Sequence, residues 1–130
     1  MNKLMQDVVV KKSKINGYGV FAARDFKKGE IVIKWDISHQ LNKKDVDKLS
    51  NKDKKYIAYY KKKYILNQRP AKYVNHSCKA NTYIKNFCDV AKRNIKKGEE
   101  ITGNYSEDKH SGFEMKCTCG NKNCRKTIYL

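Results

Sequence analysis

Residues 73–81 read Tyr-Val-Asn-His-Ser-Cys-Lys-Ala-Asn, two apolar positions followed by a mostly polar run. Such a stretch is a strand that leaves a core and enters a polar turn, and it carries Asn75, His76, Ser77 and Cys78 to one place. A thiol close to a histidine raises the question of nucleophilic catalysis. The chain holds only two other histidines, His39 and His110. Neighbouring side chains on a strand point to opposite faces, so a Cys78 thiolate paired with His76 is expected to be badly oriented, and a hydrolase is disfavoured.

Toward the N-terminus, residues 8–37 read as short strands joined by glycine turns. Val8 to Val10 is a β-rich run, Asn16-Gly17-Tyr18-Gly19 a tight turn, and Val20, Phe21 and Ala22 resume an apolar segment. Phe26-Lys27-Lys28-Gly29-Glu30 is a second turn, after which Ile31, Ile33 and Trp35 alternate with other residues as in a half-buried strand. Gly17-Tyr18-Gly19 fits neither glycine-rich phosphate-loop signature. Glycine there lets backbone approach a flat or extended ligand. In residues 42–64, Asn42 with Asp45 and Ser50 with Asp53 resemble two helix-capping signals. Val46, Leu49, Ile57, Tyr60 and Tyr64 recur near helical spacing among nine lysines, which predicts a short helical insertion with a basic, solvated outer face.

Toward the C-terminus, Phe87 to Ala91 is another short strand. Asn94-Ile95-Lys96-Lys97-Gly98-Glu99-Glu100-Ile101 echoes residues 26–31, with Lys-Gly-Glu leading into isoleucine. An echo this short cannot establish duplication, because such a hairpin is a common solution. Tyr105 follows the polar turn Gly103-Asn104, where an aromatic ring by itself simply closes a core.

Cys117, Cys119 and Cys124 lie in a polar, glycine-containing turn. Free cysteines prefer burial as small hydrophobes, so three thiols among Lys, Thr, Gly and Asn point to metal, and a closed sulfur-rich site selects zinc. The fourth ligand is Cys78 or Cys88, unless His110 supplies it. Cys78 sits in a polar turn and Cys88 in an apolar strand, which makes Cys78 the better ligand and Cys88 the better core residue. Five cysteines are an odd number, so a full set of disulfides is impossible and a reducing compartment is implied.

The 130 residues suit one compact unit, and nine tyrosines, four phenylalanines, Trp35 and ten isoleucines exclude global disorder. No run approaches the roughly eighteen apolar residues of a membrane span, and the N-terminal stretch has no signal-peptide pattern. The mature chain is expected to begin near Met1 and to work in the cytoplasm or a nucleus, without membrane. The net charge of +17 favours encounter with nucleic acid or acidic protein, although only four of the thirty basic residues are arginines. A genome rich in Lys and Asn codons would give the same composition without such a partner.

Gly17-Tyr18-Gly19-Val20-Phe21-Ala22-Ala23 with Lys28-Gly29-Glu30, then Asn75-His76-Ser77-Cys78 with Asn81, then Lys97-Gly98-Glu99-Glu100-Ile101-Thr102 with Tyr105, then the cysteine cluster, stand in a telling order. They resemble the SET domain with its post-SET zinc tail, a protein-lysine methyltransferase family, from about Val8 to the C-terminus. The resemblance implies a mainly β fold of small sheets around a pseudoknot-like crossing. It places the SET domain at 1–108, with a helical insertion at 39–64, and the zinc-binding post-SET tail at 109–130. It also implies methyl transfer from S-adenosylmethionine to a lysine amine of a protein substrate, histone or non-histone, with S-adenosylhomocysteine as product. Gly17, Tyr18, Gly19, Asn75, His76, Tyr105 and Tyr129 would hold the cofactor, Tyr105 and His76 would serve the transfer site, and Cys78, Cys117, Cys119 and Cys124 would hold one structural zinc. A monomer or homodimer is expected.

The sequence departs from the family at Gly103, Asn104, Ile84, Ala80 and Lys72. Gly103 and Ile84 stand where bulky residues often limit how many methyl groups fit, so a roomy channel is expected unless Tyr60, Tyr64 or Tyr83 fills the gap. A zinc-stabilised SET-like module that binds nucleic acid or protein with little catalysis is the alternative.

Overall fold

The computed structural model describes residues 7–54 and 56–104, together with two short strands nearer the C-terminus. Val8–Lys12 (β1) and Tyr18–Ala22 (β2) form an antiparallel pair with Val8 opposite Ala22. Glu100–Gly103 (β10) lies antiparallel to β2 on its other edge, and the two-residue strand Asn75–His76 (β7) joins β10 in parallel. The second sheet orders Ile31–Lys34 (β3), Cys88–Ala91 (β9) and Thr82–Lys85 (β8), with β9 central and buried at all four positions. A third sheet orders Gln40–Leu41 (β4), Lys63–Leu66 (β6) and Ile57–Tyr60 (β5). Glu114–Lys116 (β11) and Thr127–Tyr129 (β12) pair antiparallel. The boundary expected at 108 lies outside the described residues. The chain is therefore mainly β, as its alternating apolar pattern requires. Its core gathers Val20, Phe26, Ile65, Ile95 and Ile101, all at most 1% exposed.

The echo between residues 26–31 and 95–100 is a pair of turns that interlock. Phe26 and Ile95 exchange both main-chain hydrogen bonds at 2.8 Å, Gly29 N donates to Ala91 O, and Gly98 N donates to Ala22 O. Lys28 N donates to Asn94 Oδ1 at 2.9 Å and Lys97 N to Asp25 Oδ1 at 2.8 Å. Each of these contacts has its counterpart with the roles reversed, the self-complementary logic of a two-fold interface inside one chain. Gly29 (φ 90) and Gly98 (φ 94) occupy backbone conformations that a side chain would strain.

The insertion matches its helical reading only in its first half. Lys43–Asp47 (α1) is capped by Asn42, whose side chain accepts from Asp45 N, and Asn51–Lys54 (α2) begins with Ser50 Oγ accepting from Asp53 N. Ile57, Tyr60 and Tyr64, read above as helical, instead belong to a hairpin with Tyr59 opposite Tyr64. The run is β-branched and aromatic, and its pairing within the hairpin and with β4 overrides the helical spacing. Lys61 (φ 50) and Lys62 (φ 64) form the turn, and Asn86 (φ 51) with Phe87 (φ 58) forms a similar one between β8 and β9. Two positive φ values in a row match the twist of the flanking strands.

These two hairpin tips clasp one another. Lys61 Nζ donates to Asn86 Oδ1 at 3.1 Å, and Asn86 N donates to the Tyr60 hydroxyl at 2.9 Å. The Tyr60 and Phe87 rings meet edge to face at 5.0 Å, with Trp35 against both. The Trp35 indole donates to the buried Asp89 carboxylate at 3.1 Å, so the aromatic cluster leaves no indole N–H unpaired in the core. The third sheet is thereby fixed to the second.

Candidate active site

A strand of two residues has too few main-chain bonds to hold its place. β7 is kept beside β10 by side chains as well as by pairing, with Thr102 opposite Asn75 and Gly103 opposite His76. Ser77 N extends the contact by donating to Gly103 O at 3.0 Å. Four residues further, Asn81 is 3% exposed and bonds at every polar group. Its Nδ2 donates to Glu100 O at 2.8 Å, its Oδ1 accepts from Thr102 N at 2.9 Å, and its own carbonyl accepts from Lys92 N. Thr82 Oγ1 donates to Thr102 O at 2.8 Å. The polar turn after β7 is thus stitched to β10 by side chains doing the work of a ladder.

The glycine turn sits against the same place. Ser13 N donates to Gly17 O at 2.8 Å and closes the loop, and Gly17 takes φ 41. Asn75 Nδ2 donates to Asn16 O at 3.1 Å and to Tyr18 O at 3.0 Å. A side chain expected to touch cofactor therefore also fixes the backbone that would line the pocket. A Cβ built at Gly17 meets nothing within 4 Å, whereas one at Gly19 runs into the Glu100 carboxylate and Ser13 Cβ. Gly17 answers to its backbone conformation, whereas Gly19 leaves room for the protein itself. Tyr18 is 55% exposed and its ring lies edge to face with Tyr73 at 6.2 Å, while Arg69 and Lys72 sit over Tyr73 at 5.7 and 5.4 Å. Cationic groups so placed raise the local concentration of anions.

The SET domain family profile matches residues 17–106, more than two thirds of the chain, from the glycine turn to just past Tyr105. The chain belongs to the SET domain family. It is 29% identical over 95% of its length to a "Histone-lysine N-methyltransferase, H3 lysine-36 specific" of Debaryomyces hansenii, covering 19% of that protein. It is 32% identical over 92% of its length to the "Variant-silencing SET domain-containing protein" of Plasmodium falciparum, covering 6% of it. Human "Histone-lysine N-methyltransferase 2D" is 29% identical over 92% of the chain, which covers 2% of that protein. The chain spans less than a fifth of the length of each of these relatives.

Within this SET domain, Gly17, Tyr18, Gly19, Asn75 and His76 come together at the junction of β2, β7 and β10. Tyr105 lies outside the described residues, two positions after Gly103 in β10. Tyr129 ends β12, of which the backbone alone is described.

The expectation that Cys78 and His76 are badly oriented is overturned: His76 Nε2 lies 3.4 Å from Cys78 Sγ. Residues two apart share a face, and the alternation invoked above separates only immediate neighbours. The contact does not by itself make a nucleophile, because Cys78 would be occupied if it holds metal. Cys78 is half-buried, while Cys88 is 7% exposed and donates to Asn86 O, as a core thiol does. Cys117, Cys119 and Cys124 lie outside the described residues, and among the described residues no three His, Cys, Asp or Glu side chains gather as metal ligands. β11 and β12 pair Lys116 with Thr127, the residues that flank the stretch holding those three cysteines in sequence.

Sequence reasoning missed Ser13 and Glu100. Glu100 follows the Lys-Gly-Glu turn, and a doublet Glu99-Glu100 entering a strand sends its two carboxylates to opposite sides. That alternation was the available signal. Ser13 offered none.

Proposed function

We propose that this SET domain transfers methyl groups from S-adenosylmethionine to the side-chain amine of a lysine in a protein substrate. The observation that carries the reading is the junction itself: the span matched to the family begins at the glycine turn and ends past Tyr105, and β7 joins that turn to β10. The residues suit the cofactor. Gly17 leaves open space, the Asn75 amide orders the carbonyls of Asn16 and Tyr18, and buried His76 stands opposite Gly103. Gly17, Tyr18, Gly19, Asn75, His76, Tyr105 and Tyr129 would hold it. When bound, its sulfonium supplies an electrophilic methyl group.

The protein's task is alignment and proton control. A lysine amine with a pKa near 10.4 must arrive neutral, and a narrow apolar channel disfavours its charged form. Tyr105 would use its hydroxyl to orient the amine in line and to shape the local field. His76 would support that site from β7. Tyr105→Phe should leave the fold intact and lower kcat more than cofactor affinity. Wild-type turnover by that variant would demote Tyr105 to packing.

One structural zinc belongs to the same proposal. Cys78, half-buried, would be one ligand, and Cys117, Cys119 and Cys124 would complete a tetrahedral site that stabilises the tail. Among the described residues no helix is long and apolar enough to cross a membrane. The cytoplasmic or nuclear location remains part of this reading. The relatives' names concern histones, and a charge of +17 opposes unaided binding of a lysine-rich histone tail. A target lysine on an acidic surface, or nucleic acid bridging two basic proteins, reconciles the charges.

A Cβ at Gly103 would meet Val74 Cγ1 at 3.6 Å and Thr82 Oγ1 at 4.0 Å, ordinary contact that leaves room for a small side chain. Of the tyrosines able to narrow a channel, Tyr60 is committed to the Trp35–Phe87 cluster. A roomy channel would give di- or trimethyl product, to be read by mass spectrometry after exhaustive reaction with a protein lysate. The alternative, a SET-like binding module with little catalysis, draws on the charge and on Gly103 and Asn104. Calorimetry of zinc-replete protein with S-adenosylmethionine separates them: absence of binding sinks the enzyme.

A further inference from the structure

Glu99 and Glu100 follow one another but do different things. Glu99 turns outward to Arg93 at 3.1 Å. The Glu100 carboxylate turns inward and accepts from Ser13 Oγ at 2.7 and 2.8 Å and from Asn75 Nδ2 at 2.9 Å. Ser13 opens the glycine loop, and its hydroxyl also accepts from Ile15 N at 3.0 Å. Asn75 grips the other end of that loop through the carbonyls of Asn16 and Tyr18. The two hydrogens of the Asn75 amide serve three acceptors, so its rotamer is set by the carboxylate and the two carbonyls together. Gly19 has no positive φ; its missing Cβ is the space that the Glu100 carboxylate occupies. One carboxylate thus touches the start of the turn and the side chain that clamps its end, and fills the space beside Gly19 just past it.

We propose that Glu100 is a positioning residue for S-adenosylmethionine, which acts through Ser13 and Asn75 to hold residues 13–19 in the shape that receives the cofactor. This rests on the methyltransferase reading above. Glutamine at 100 keeps the size but presents an amide N–H₂ toward one of two donors, so one end of the turn loses its anchor. A turn with one end free is ordered only on binding, which weakens cofactor affinity while the transfer step, once the cofactor is seated, proceeds as before.

The test is calorimetry of the zinc-replete full chain with S-adenosylmethionine, with kcat measured at saturating cofactor. Glu100→Gln should bind about tenfold or more weakly, with kcat within about twofold of wild type. Ser13→Ala should weaken binding by roughly threefold or more, and the double variant should lose less than the product of the two, because both remove one network. Glu99→Gln, which weakens only the outward contacts with Arg93 and the Lys96 amide, should bind like wild type. Glu100→Gln binding within about twofold of wild type overturns the proposal, as does equal weakening by Glu99→Gln. If Glu100→Gln fails to fold, an unchanged affinity in Ser13→Ala overturns it instead. A wild-type protein that does not bind the cofactor refutes the methyltransferase reading and this inference with it, a result distinct from binding that is indifferent to Glu100.

Discussion

Asn81 offers the sharpest test of how the site is held. Truncation to alanine removes the donor to Glu100 O and the acceptor of Thr102 N, both between elements whose side chains lie within the core. Thr102 Oγ1 keeps a partner in Asn81 N at 3.2 Å, so the loss falls on two main-chain groups. An unpaired buried polar group costs about 1–3 kcal/mol, which places Asn81→Ala near 3–4 kcal/mol. An unfolding entropy of roughly 2.1 cal/mol/K per residue converts each 1 kcal/mol into about 4 °C for a chain of this size, so the midpoint should drop by about 12–16 °C. Urea denaturation followed by circular dichroism gives the free energy directly, with an unchanged slope if the denatured state is unaltered. Asn81→Asp separates hydrogen bonding from volume, because it keeps the shape and Oδ1 but sets a carboxylate oxygen against the Glu100 carbonyl. It should also cost more than about 1 kcal/mol. If Asn81→Asp were as stable as wild type, or Asn81→Ala lost less than about 1 kcal/mol, the side-chain ladder would be incidental to the fold.

Other expectations can be checked alongside. Gly29→Ala and Gly98→Ala meet no neighbouring atom, so each should cost only the backbone strain of about 1–2 kcal/mol, and similar losses in both would bear out the equivalence of the two turns. In the acid range, Glu30 is held below its usual 4.5 by the Lys27 amide and then by Arg24. Glu99 is also lowered, its burial opposing and the Arg93 hydrogen bond and Lys96 amide prevailing. A depressed folded value means stability present above 4.5 and lost as pH falls through the depressed value, so the melting midpoint should fall below pH 4.5 and fall less steeply in the Glu30→Gln/Glu99→Gln double variant. Zinc content measured by atomic absorption should drop in Cys78→Ala and persist in Cys88→Ala; retention in the former would remove Cys78 from the ligand set. Lys62→Gly should leave stability unchanged or raise it by up to about 1 kcal/mol, because φ 64 suits glycine, and a marked loss on melting would show that Lys62 contributes a contact of its own.

Much of this molecule is written locally. Glycine turns at 16–19 and 26–30, the alternation of residues 31–35, the caps at Asn42 and Ser50 and the cysteine spacing of the tail depend on neighbours within a few positions, and their order along the chain carries the family resemblance. What local pattern does not encode is which distant segments meet. Helical spacing at Ile57, Tyr60 and Tyr64 lost to strand pairing because β4 and β6 offered a ladder that a helix there would have forgone. The two echoing turns looked like one motif used twice, and only the fold made each the partner of the other. Ser13 and Glu100 lie 87 positions apart, and no periodicity links a hydroxyl in one loop to a carboxylate in another. Side-chain chemistry and turn geometry are short-range and legible in sequence; the clamp on the glycine turn depends on long-range packing, which brings β2, β7 and β10 together and sets Glu100 beside Asn75.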